Sequence, residues 1–73
     1  MSPKEMRDQL AHLGHSTYAT AWPDSWLLHH HKGVFILELR HHPDRWTLYD
    51  MRLGRSYAQP VTGPDDVIKQ VSA

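Results

Sequence analysis

Residues 25–41 constrain this chain more than any other stretch. Two runs of strand-forming residues flank Lys32-Gly33, and glycine is free to take the positive φ that a tight hairpin turn needs. A two-residue turn pairs His31 with Val34, Leu28 with Leu37 and Trp26 with Leu39. That register places Trp26, Leu28, Phe35, Leu37 and Leu39 on one face. Leu27, His29, His31, Val34, Ile36, Glu38 and Arg40 take the other. A slip of one residue would send the large apolar groups to the wrong side, so the pattern specifies its own pairing. Val34-Phe35-Ile36-Leu37 is apolar on both faces, as a central strand would be.

The next turn is His42-Pro43-Asp44-Arg45. A third strand is expected from about Trp46 to Met51. A four-residue loop sets Leu39 opposite Leu48, so Trp46 and Leu48 join the core face. Thr47, Tyr49 and Met51 join the opposite one. After Arg52-Leu53-Gly54, residues 55–59 are expected as a short edge strand ended by Pro60.

Helices are expected at both ends. Ser2, Pro3 and Glu5 form a capping box with proline at the first helical position. Met6, Leu10 and Leu13 follow as one apolar stripe, and Gly14 offers a left-handed stop. This places a helix at about residues 3–13, followed by a loop over 15–24. The last helix opens at Pro64 behind Thr62 or Gly63. Asp65 and Asp66 lie in its first turn, where the helix dipole favours acids. Val67, Ile68 and Val71 are its apolar stripe.

The expected fold is therefore α+β. A three- to four-stranded antiparallel meander carries both helices on the Trp26/Leu37/Leu48 face, in the order α-β-β-β-(β)-α. With 73 residues the chain makes a single small domain over residues 1–73. It has no cysteine, so neither a disulfide nor a thiolate metal site staples it. Hydrophobic content of 40% and charged content of 22% suit a globular chain and argue against disorder. No apolar run approaches a membrane span and no signal peptide is visible, so no membrane partner and a cytoplasmic location are expected.

The sequence argues against catalysis. No serine lies in a nucleophile-elbow context, the glycines are scattered turn residues, and no nucleophile–base–orienter set emerges. The expectation is a non-enzyme with no cofactor. Seven histidines are the compositional oddity. His29 and His31 project from one strand face two residues apart, which is a metal-ligand geometry. A site needs three or four converging ligands, so no metal is assigned. A His-mediated metal or pH-responsive site remains a third reading.

Cationic groups open a second one. Lys32, Arg40, Arg45, Arg52 and Arg55 outnumber Glu38, Asp44 and Asp50 in the sheet region, and Tyr49 offers a base a stacking surface. The order α-β-β-β-α resembles the double-stranded RNA-binding domain in outline. That resemblance implies an RNA or DNA partner. The family, however, reads RNA with a lysine-rich start to its last helix, where this chain has Asp65 and Asp66. Lys and Arg total 8 against 8 for Asp and Glu, without the basic excess typical of nucleic-acid binders.

The leading expectation is a protein-binding module. The face opposite the core would present Leu27, Val34, Ile36, Tyr49 and Met51, ringed by His29, His31, Glu38 and Arg40. Monomers rarely leave a contiguous apolar patch of that size uncovered, and Tyr, Met and Arg are enriched at interfaces. Ile36, Arg40, Tyr49 and Met51, with His29 and His31, are the expected contacts to another protein or to a second copy of the chain. A small cysteine-free chain with its own Met1 suits a phage- or mobile-element-encoded inhibitor or accessory protein.

Overall fold

The structure, a computed structural model, describes residues 1–29, 36–51 and 58–72. In chain order its elements are α1 (Pro3–His12), β1 (Tyr18–Ala19), β2 (Ser25–His29), β3 (Ile36–His41), β4 (Trp46–Asp50), β5 (Ala58–Val61) and α2 (Pro64–Val71). The strands form one antiparallel sheet in sequential order, a meander.

Helix α1 begins as its capping box dictates. The Glu5 N–H donates to Ser2 Oγ at 3.2 Å, and the Ser2 N–H donates to Glu5 Oε1 at 3.3 Å. It ends in a Schellman turn: His15 N–H reaches Leu10 O at 2.8 Å and Gly14 N–H reaches Ala11 O at 3.0 Å. Gly14 sits at φ 91°, a conformation other residues rarely adopt. The stop comes one residue before the expected end. Leu13 is consequently the C-cap, half exposed rather than the third member of the apolar stripe, while Met6 and Leu10 are fully buried.

Register follows the hydrophobic pattern. Leu28 pairs with Leu37, Trp26 with Leu39, and Leu39 with Leu48, as expected from the alternation. The hairpin turn at Lys32-Gly33 lies outside the described residues, as do Phe35 and the Arg52-Leu53-Gly54 turn. Two strands depart from expectation. Tyr18 and Ala19, read as loop, pair with Leu27 and Trp26 and add a first edge strand. At the other edge, β5 runs through Pro60 instead of ending at it, with Pro60 opposite Thr47. An outermost strand tolerates proline because one side of its backbone has no ladder to complete. Among the described residues the sheet therefore has five strands, not three or four.

Both helices pack on one face. Met6 and Leu10 of α1 and Val67 and Val71 of α2 join Trp26, Leu28, Leu37, Leu39, Trp46, Leu48 and Val61 in a single buried cluster. Trp26 and Trp46 lie 6.0 Å apart between ring centroids, and the His41 ring lies 4.4 Å from that of Trp46. Helix α2 has no side-chain cap on its own first N–H groups but is tied to the residue before its N-cap. Its N-cap is Gly63, which has no side chain to offer, so Asp66 Oδ2 accepts from both the Thr62 N–H at 2.9 Å and the Thr62 hydroxyl at 2.6 Å. These bonds hold the Asp66 carboxyl below the usual carboxylate range. No helix among the described residues is long and apolar enough to cross a membrane.

Candidate functional site: the helix-free sheet face

Alternation along the strands leaves Tyr18, Ser25, Leu27, His29, Glu38, Arg40, Thr47, Tyr49 and Pro60 on the face opposite the helices. Its centre is polar. Glu38 is buried and sits next to Leu27 on one side and Tyr49 on the other. The Ser25 hydroxyl, also buried, donates to Glu38 Oε2. Arg40 Nε donates to the same oxygen at 2.8 Å, and its Nη2 donates to Oε1 at 3.4 Å. The guanidinium carbon lies 4.7 Å from the centre of the Tyr49 ring, a cation–π stack.

The physics of this group is coupled. Burial pushes the Glu38 carboxyl up, but the hydrogen bonds from Arg40 and Ser25, with the Arg40 charge, more than offset it. The carboxyl titrates below the usual glutamate range. The Arg40 head thus joins Glu38 to Tyr49 while 41% of its side chain still meets solvent. Arg40 and Tyr49 are therefore already engaged with one another and with Glu38 in the free chain.

Around this centre, the Tyr18 and His29 rings lie 5.6 Å apart at the β1–β2 edge, both exposed. His42 Nε2 and the buried Thr47 Oγ1 are hydrogen-bonded at 2.8 Å. Among the described residues, every buried side-chain nitrogen or oxygen has a hydrogen-bond partner.

The expected contact residues fare differently. Arg40 and Tyr49 are brought together, and His29 lies on the same face. Met51 does not continue the strand: β4 stops at Asp50, and Met51 lies beyond it with 53% of its surface exposed. Ile36 is placed opposite His29 by register alone. His31 lies outside the described residues, as do Lys32, Arg52 and Arg55 of the cationic set. Arg45 is paired with its neighbour Asp44 at 3.0 Å. Among the described side chains the face is polar and aromatic around Glu38, with Leu27 half-buried beside it, while Val34 and the Ile36 side chain of the expected apolar patch lie outside what is described. Alternation assigns residues to a face but says nothing of where a long side chain lies. Tyr18 was missed because two residues make too short a strand to show a period. Among the described residues no three His, Cys, Asp or Glu side chains converge to hold a metal ion.

No protein-family model, no curated protein and no solved structure matches this chain.

Proposed function

We propose that this chain is a non-enzymatic protein-binding module whose helix-free sheet face docks a partner. The supporting observation is the Ser25–Glu38–Arg40–Tyr49 group, which presents an arginine and a tyrosine already paired with one another on the sheet. Arginine and tyrosine are the side chains that dominate interface energetics, and ordering them in advance lowers the entropy lost on binding. Tyr18 and His29 extend the same surface to the sheet edge.

A nucleic-acid partner fits this face less well. Arg40 is already neutralised by Glu38, a buried anion at the centre of the surface. A phosphate backbone would meet that carboxylate. The partner is taken to be a protein, a second copy of the chain included. A role as a phage- or mobile-element-encoded inhibitor rests on size and composition alone.

The test is capture of partners from lysate on the tagged full chain, with and without nuclease, read by mass spectrometry. A protein retained after nuclease treatment, and lost from Tyr18→Ala and Tyr49→Ala variants that still melt cooperatively, supports the reading. Retention that disappears with nuclease, or that ignores both substitutions, counts against it.

A further inference from the structure

A second surface lies on the helix-bearing side of the sheet, independent of the proposed docking face. Between α1 and the segment after it is a cleft of about 390 Å3, walled by Lys4, Arg7, Asp8 and Ala11 on the helix and by Ser16 and Thr17 opposite. Its central side chain is held at two points. Arg7 Nε donates to Thr17 Oγ1 at 2.9 Å, and the guanidinium carbon lies 5.6 Å from the centre of a Trp26 ring. One edge of the guanidinium is thereby tied down. The two terminal amino groups have no partner among the described residues.

The remaining groups are mostly donors. Thr17 Oγ1 accepts from Arg7, which leaves its own proton to give. Ser16 has no hydrogen-bond partner among the described residues. Lys4 Nζ is bonded to Asp8 Oδ2 at 2.8 Å, but both side chains are largely exposed, and such a pair is readily exchanged for a stronger acceptor. Asp8 is the cleft's acid and is already engaged.

We propose that this cleft binds a phosphate monoester. A carboxylate would satisfy the Arg7 fork with its two oxygens and leave the hydroxyls without an acceptor. A phosphate group offers a third oxygen to Thr17 and Ser16, and its higher charge draws Lys4 from Asp8. The cleft is larger than a phosphate alone, so it also takes part of the group that carries it. The phosphate belongs either to a small organic molecule or to a phosphorylated side chain, since both present the same chemistry.

The experiment is an amide-resolved NMR titration of the full chain at fixed pH and ionic strength, with inorganic phosphate, phenyl phosphate, a phosphoserine peptide and acetate. Saturable shifts centred on Lys4, Arg7, Ser16 and Thr17 are expected with the phosphates, and weaker ones with acetate. Arg7→Gln should lower affinity about tenfold or more without changing the fold, the loss of one charge-assisted fork. Should Arg7→Gln fail to fold, the exposed Lys4→Gln takes its place and should also weaken binding. Equal affinity for phenyl phosphate and the peptide assigns the site to small phosphates, and tighter peptide binding assigns it to a phosphorylated protein. Absence of saturation, acetate binding as tight as phosphate, or affinity untouched by the substitution overturns the proposal.

Discussion

Glu38 shows how much one buried side chain decides. Its carboxylate is the common acceptor for Ser25 and Arg40, so removing it strands a buried hydroxyl and frees a guanidinium. Glu38→Ala should cost about 1–3 kcal/mol of stability in urea unfolding, the range for a buried partner left unsatisfied. The same group sets a pH dependence. Its folded-state pKa lies below the ordinary 4.5, so its contribution is full above that value and is lost as pH falls through the lower folded-state value. Glu5 and Asp66 are also held low and act in the same direction. The share due to Glu38 is therefore the difference between the wild type and Glu38→Gln. The variant should show a shallower loss of urea midpoint between neutral pH and pH about 3. Parallel curves would show that Glu38 is not the coupled group.

At the scale of elements, each helix relies on a terminal device rather than on length. Helix α1 has 10 residues and α2 has 8, both shorter than an isolated helix needs for stability. Ser2→Ala removes one half of the capping box and should cost about 1 kcal/mol. For a chain of this size that is a fall of roughly 4–8 °C in melting temperature. Gly14→Ala should cost about 1 kcal/mol for a different reason. Space is open around Gly14, but its φ of 91° is strained for any side chain. Differential scanning calorimetry on both variants measures these effects, and neither residue belongs to the buried cluster. A Gly14→Ala melting point equal to wild type would mean that the Schellman turn contributes nothing.

For the whole molecule, the margin is small. A domain of about 70 residues without disulfides draws roughly 3–5 kcal/mol from its core. Leu39 is fully buried at the centre of β3, paired with Trp26 on one side and Leu48 on the other. Leu39→Ala should cost about 2–5 kcal/mol, nearly the entire stability. The expected outcome is loss of a cooperative thermal transition by circular dichroism. A variant that melts cooperatively near the wild-type temperature would mean that the single cluster does not carry the fold.

What the sequence by itself determined is everything that depends on period and local chemistry. Alternation with a period of two paired Leu28 with Leu37, Trp26 with Leu39 and Leu39 with Leu48, because any other register would expose the core. Ser2, Glu5, Gly14 and Pro64 marked the helix ends, because caps act over three or four residues. Arg40, Tyr49 and His29 could be assigned to the helix-free face on the same grounds. Only the tertiary structure decided the rest. Strand β1 exists because β2 offers it an edge, and β5 carries Pro60 because β5 is outermost. Leu13 turns outward where α1 stops. That Arg40 bonds Glu38 and stacks on Tyr49, so that these three form one group with Ser25, is a matter of where side chains lie. The Arg7–Thr17 cleft likewise forms only because the segment after α1 turns back along the helix. These features rest on where long side chains lie and on which strands have neighbours, and neither quantity has a period to read.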